Sequence, residues 1–177
     1  MIPASPAVLV TAVVFAIMLA ETALSRANER RLRASGAVEP AGDVYRAMAI
    51  AYPASFLAMG VEGALAGPAP AGVWWTGIAV FVAAKAIKYW AIASLGPRWT
   101  FRVLVLAGAP LVTRGPYAWL RHPNYVGVVG ELLGVALIAG AVVTGALSTL
   151  GFLWLLRRRI VVEDRALGRD QKVRGGV

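Results

Sequence analysis

The chain lacks cysteine altogether, has a single histidine, and sets only nine acidic residues against eighteen basic ones in 177 positions. Without cysteine there is no disulfide, no thiolate metal site and no cysteine nucleophile. With one histidine, no HExxH motif and no clustered carboxylates at metal-ligand spacing, no metal centre is expected. GxSxG is missing, and no Walker Lys-Ser/Thr follows a glycine-rich run, which argues against a hydrolase elbow and ATP-driven chemistry. Charge itself is scarce. Charged residues make up 15% of the chain and hydrophobic ones 59%, against about 25% and 45–50% in soluble domains. One domain of this length cannot hide that much apolar surface in a core. The composition therefore predicts an integral membrane protein.

The charge that is present is unevenly placed. Lys and Arg are absent from 1–25, 47–84 and 122–156 and gather between those stretches. This is the positive-inside pattern, with contact to membrane lipids, and not the footprint of a nucleic-acid partner. No basic segment precedes the first apolar run, so that run is expected to remain as an anchor.

Read in order, the chain predicts an all-α integral membrane protein with five transmembrane helices, over 6–24, 44–65, 73–95, 125–139 and 147–156. The last two are expected to form a C-terminal helical hairpin, joined through 140–145. Pro53 is expected to kink the second helix, and Trp74 and Trp75 suit an interfacial belt. Gly96-Pro97 ends the third, and 98–114 reads as a short cytoplasmic connector, extended or hairpin-like, over the cytoplasmic mouth. The basic clusters put the amino terminus outside and the carboxyl terminus in the cytoplasm. Residues 168–177 are expected to fray. The whole chain 1–177 reads as one domain, with 1–66 holding the first two helices.

Chemistry concentrates in 113–134, TRGPYAWLRHPNYVGVVGELLG. His122 lies between Arg121 and Pro123, Tyr125 follows, and Glu131 sits inside an apolar run where an acid is costly. Lys85 and Lys88, three apart, share a helix face near Tyr89 and Trp90. They either snorkel toward headgroups or line a polar pocket. Gly127, Gly130 and Gly134 recur on one side, as small residues do where helix backbones meet in a membrane. Cations, aromatics and one or two acids at the lipid boundary suit a cofactor with an amino-acid end, a ribose and an adenine. They also suit a lipid-like acceptor arriving sideways from the membrane. A small transporter or assembly subunit is the non-enzymatic alternative. It is disfavoured by the absence of inverted repeats and by charge gathered on one side of the membrane.

The run GPYxxxRHPNYxG at 115–127, with Glu131 and RIxxED at 159–164, resembles the isoprenylcysteine carboxyl methyltransferase family, membrane enzymes that use S-adenosylmethionine. The resemblance covers about 73–167, which would form the cofactor-binding core. It implies cofactor contacts from Tyr117, His122, Pro123, Tyr125, Gly127 and Glu131. It also implies roles near the acceptor for Arg159 and Glu163. Arg98 is a second cation able to favour an acceptor anion, and Lys88, Tyr89 and Arg102 are candidate substrate contacts. The stretch from Lys88 to Tyr125 is similar to a bacterial branch associated with type III polyketide synthases. That similarity implies O-methylation of an alkylpyrone, with prenylcysteine carboxylate or a phospholipid amine as alternatives. The family's FG-x-x-Y-x-x-Y tail is replaced here by Leu167-Gly168-Arg169-Asp170.

Overall fold

The computed structural model describes residues 5–168. Five α-helices run in chain order: α1 Pro6–Ala34, α2 Tyr45–Ala66, α3 Ala71–Leu95, α4 Pro123–Ala139 and α5 Val142–Ala166. Short 3-10 turns occupy Gly96–Arg98 and Gly115–Ala118. The expectation of fraying over 168–177 falls almost wholly outside the described residues, as do Arg169 and Asp170 of the tail.

The five-span expectation is overturned. Among the described residues, three helices are long and apolar enough to cross a membrane: α1, α2, and α3 with its terminal turn. The other two fall short for different reasons. α4 has 17 residues, about 25 Å of helix against a hydrocarbon core of about 30 Å. α5 is 25 residues long, but its uncharged part stops at Leu156, where Arg157, Arg158 and Arg159 follow. Nor do these two make a self-contained C-terminal hairpin. α4 packs chiefly on α3, and α5 divides its contacts between α2 and α4.

Local sequence explains the boundaries. Ser5 caps α1 by accepting from Val8 N–H at 3.3 Å, and Pro6 supplies the first helical position. The basic segment after residue 24 does not leave the helix but continues it to Ala34, so α1 reaches about 43 Å and projects beyond the hydrocarbon. The hinge between α4 and α5 is only Gly140 and Ala141, with Gly140 left-handed at φ 69°. Gly145, expected in that joint, lies inside α5. α5 lacks a cap of its own. Glu62 of α2 supplies one, accepting from Val143 N–H at 3.0 Å and Thr144 N–H at 2.7 Å.

The α3–α4 seam is the closest in the bundle. A Cβ on Gly127, Gly130 or Gly134 would lie 2.8, 2.7 or 2.8 Å from the Cβ of Lys88, Ala84 or Phe81. These glycines let two backbones touch, which is the packing role small residues take in lipid. Below the seam a core forms around Phe56, Met59, Leu132 and Val135.

Over the basic end of the bundle lies the connector, residues 99–114. It is extended, and its β-bridge pairs Val105 with Val38 of the 35–44 linker, not with itself. Side chains from α1 pin it: Ser25 Oγ accepts from Phe101 N–H at 2.9 Å, and Asn28 Nδ2 donates to Trp99 O at 2.9 Å.

Candidate active site

Beneath the connector is a cavity of about 430 Å³, a size that suits a small-molecule or cofactor site. Its inner wall is apolar, with Met18 from α1, Val128 from α4 and Phe152 from α5. Its outer wall is polar and mostly basic, and the connector contributes Trp99 to Leu104 and Ala109 to Val112.

Local structure aims the motif residues at this space. Pro123 opens α4 as its first residue, so His122, with φ −134° and ψ 59°, is not yet helical and stands at the helix mouth. Its ring stacks on Tyr125 at 5.4 Å between centroids. Tyr125 Oη donates to Glu163 Oε2 at 2.5 Å and accepts from Arg159 Nε at 2.8 Å. Arg159 Nη1 meets Asp43 Oδ1 at 3.2 Å, and Nη2 donates to the carbonyl of Phe101. His122 Nδ1 is 3.7 Å from Glu163 Oε1, and its Nε2 is 3.2 Å from Asp164 Oδ1. That second contact has ion-pair distance but not hydrogen-bond alignment, so Nε2 is buried without a satisfied partner. Outside the membrane segments, Arg102 pairs with Glu39 at 2.7 Å and with Glu29 at 3.6 Å. Burial pushes the Glu39 carboxyl up, but hydrogen bonds and charge from Arg33 and Arg102 outweigh it and hold it below its ordinary value. The Glu39 hydrogen bond correspondingly raises Arg102.

A second ionic cluster lies under the cavity floor. Lys88 Nζ is 2.6 Å from Glu21 Oε2 and 3.1 Å from Glu131 Oε1, and Lys85 Nζ is 3.0 Å from Glu21 Oε1 and 3.1 Å from Glu131 Oε2. Tyr52 Oη donates to Glu131 Oε2 at 2.5 Å. Two ammonium groups thus face two carboxylates, all at most 9% exposed. Neither lysine snorkels.

The cavity wall therefore gathers Arg98, Arg159, Glu163, Tyr117, His122, Tyr125, Lys88 and Arg102 from the expected site. Four expected residues are elsewhere. Pro123 is buried at the start of α4, Gly127 is spent on the α3 seam, and Glu131 is sealed in the lower cluster. Tyr89 is 45% exposed and its ring lies against Lys85 instead. Sequence reasoning passed over Glu21, Tyr52, Asp43 and Asp164. Two buried lysines were a signal that acids must exist for them, and Glu21 was one of few available in an apolar helix. Asp43 gave no signal, because an Asp in a Gly- and Pro-containing linker is ordinary.

The wall fits a sulfonium nucleoside cofactor by its donor set. Arg26, Arg98 and Arg121 stand outside the ion pairs found among the described residues and can meet a carboxylate. Glu163 can accept from hydroxyl or amino groups, the aromatic residues Trp99, Phe101 and Tyr117 line the space, and His122 Nε2 is a buried nitrogen without an aligned partner.

A multi-pass helical membrane protein with a half-apolar, half-cationic cavity at one end of its bundle is the class that fold and site define. Residues 76–169 match the family described as the isoprenylcysteine carboxyl methyltransferase (ICMT) family, and the chain belongs to that family. Its members are S-adenosylmethionine-dependent methyltransferases, and the enzyme class and cofactor of this chain follow from that membership. An uncharacterized protein of Bacillus subtilis (strain 168), YpbQ, is 37% identical over 160 residues, covering 90% of this chain and 95% of its own. An uncharacterized protein of Haemophilus influenzae is 26% identical over 157 residues, covering 88% and 91%. No solved structure matches the chain.

Proposed function

We propose that the cavity under the connector is the methyl-transfer site, and that its acceptor is a lipid-soluble molecule presenting an oxygen nucleophile. One observation supports this reading above the others. A single space runs from apolar side chains (Met18, Val128, Phe152) to a rim of guanidinium groups. An acceptor with an apolar tail and an anionic oxygen matches both ends. The basic ends of α1, α3 and α5 are taken to lie in the cytoplasm, with the amino terminus outside.

S-adenosylmethionine supplies a methyl group made electrophilic by its sulfonium. The protein's contribution is to position and to shield. Tyr117, His122 and Tyr125 hold the cofactor side of the cavity, with Arg98 and Arg121 toward a carboxylate. Arg159 favours the anionic form of the acceptor oxygen, and Glu163 fixes Tyr125 against it. The connector keeps water out while the oxygen is held in line with the methyl. Glu131 acts indirectly in this scheme, by holding Lys88 at the cavity floor.

The family description favours a carboxylate acceptor of the prenylcysteine type. An alkylpyrone enolate is the second reading, favoured only by the Lys88-to-Tyr125 sequence run. Labelled methyl transfer from S-adenosylmethionine, with purified protein in liposomes, separates them. The expected product is a methyl ester of the prenylcysteine carboxylate. Faster methylation of an alkylpyrone selects the second reading, and transfer to neither, nor to a phospholipid amine, rejects the assignment of the cavity.

A further inference from the structure

Asp43 lies in the linker between α1 and α2, outside the 76–169 segment that carries the family match. Its carboxylate is 3% exposed, and three separate parts of the chain converge on it. Oδ1 is 3.2 Å from Nη1 of Arg159 on α5. The same oxygen accepts from the N–H of Tyr45, the first residue of α2, at 3.1 Å, and Oδ2 accepts from Val103 N–H of the connector at 3.0 Å.

The bond to Tyr45 N–H does not by itself call for this arrangement, because it is a local turn contact that Asn or Ser can also make. The remainder of the geometry points at the cavity. Arg159 uses its other donors on Tyr125 Oη and the carbonyl of Phe101. The Asp43–Arg159 pair therefore grips the connector at two places, Phe101 and Val103, and both of these residues line the cavity, as do Arg159 and Tyr125. A planar guanidinium bound on three edges has little freedom to rotate. Removing one edge releases both its orientation and one end of the connector.

We propose that Asp43 is a positioning residue, which sets the Arg159 guanidinium against Tyr125 and latches the connector over the cavity. Its effect on rate rests on the methyl-transfer reading above; its latching does not. Asp43→Asn keeps the size and an oxygen for Val103 N–H but removes the charge that holds Arg159. Turnover is expected to fall on the order of 10²-fold, as for a displaced catalytic constellation, while cofactor affinity measured by calorimetry stays within about threefold. Asp43→Glu, which keeps the charge, is expected to lose less than Asp43→Asn; a role in packing alone gives the opposite order. With Arg159 already changed to Ala, Asp43→Asn is expected to change turnover by less than about twofold, since the two act as a unit. Trypsin acting on protein in detergent micelles is expected to cut after Arg102 faster in Asp43→Asn than in the wild type, at matched thermal stability. Unchanged turnover in Asp43→Asn, equal losses with and without Arg159, or wild-type cleavage after Arg102 overturns the proposal. If the wild type methylates none of the acceptors, the methyl-transfer reading fails, and cleavage after Arg102 alone decides the latch.

Discussion

The two ionic clusters of this protein stand on opposite sides of one cavity floor and are built on different rules. The lower one takes Glu21 from α1, Lys85 and Lys88 from α3 and Glu131 from α4, so its members sit on helices that cannot easily move. Its charges balance, two against two, and almost none of their surface meets solvent. The upper one draws Asp43 from a linker, His122 and Tyr125 from a helix mouth, and Arg159, Glu163 and Asp164 from the charged end of α5. Each cluster holds one buried atom without an aligned partner, His122 Nε2 above and Glu131 Oε1 below. The upper one is more open, with the side chains of His122, Asp164 and Glu163 at 12, 15 and 25% exposure. In low dielectric an unbalanced charge is severely destabilising, so the lower cluster has to be closed. Near the membrane surface the same residue types can be left partly open, and that is where a ligand can be received. The difference separates a device that holds three helices together from one open enough to receive a ligand.

Unbalancing the lower cluster is expected to be the most damaging change. Lys88→Met leaves two carboxylates facing one lysine and is expected to cost about 3–5 kcal/mol, seen as loss of folded, monodisperse protein in detergent. Adding Glu131→Gln to it restores the balance and is expected to recover much of that loss. The same logic gives a different outcome above the floor. Arg159→Ala leaves the buried Asp43 carboxylate without its cation and is expected to lower stability as well. In the protein that stays folded, turnover is expected to fall on the order of 10²-fold with little change in cofactor affinity, as for a contact proposed to form in the transition state. A control far from both clusters is Glu62→Ala, which uncaps α5. It is expected to lower the thermal unfolding midpoint and to leave turnover unchanged. The smallest effect belongs to Glu39, in the 35–44 linker, where it pairs with Arg102 of the connector. Its carboxyl lies below its ordinary value of 4.5 in the folded protein. The stability it contributes is therefore present above that value and lost as pH falls through the lower, folded one. Since the Arg33 and Arg102 pairs are partly exposed, the loss is expected to be at most about 1 kcal/mol. Comparing thermal unfolding of wild type and Glu39→Gln above and below pH 4.5 measures it.

Much of this arrangement was written in local sequence, and the rest depended on packing. The membrane character, the end of α3 at Gly96 and the crowding of functional groups around His122 follow from composition, proline and glycine placement, and one unusual cluster. The number of spans did not. Apolar content marks α4 and α5 as helices, but whether a helix crosses depends on its uncharged length, and Arg157 to Arg159 cut α5 short. Lys85 and Lys88 were legible as anomalies in a hydrophobic helix, while their partners were not, because Glu21 and Glu131 are 64 and 43 residues away in the chain. The placement of Glu131 shows the same limit. An acid in an apolar run demands an explanation, and a buried lysine on the next helix supplies one as well as a cofactor does. Asp43 was the least visible of all, since its neighbours in space come from residues 103 and 159 and its neighbours in sequence describe only a turn.

On the reading proposed above, the upper cluster receives the methyl donor and the lower one only supports it. Calorimetric titration of S-adenosylmethionine into the protein in detergent, comparing wild type with His122→Ala and Glu62→Ala, tests it most directly. The prediction is saturable binding to wild type and Glu62→Ala, weakened at least about tenfold in His122→Ala. Binding of equal strength in all three proteins would contradict it.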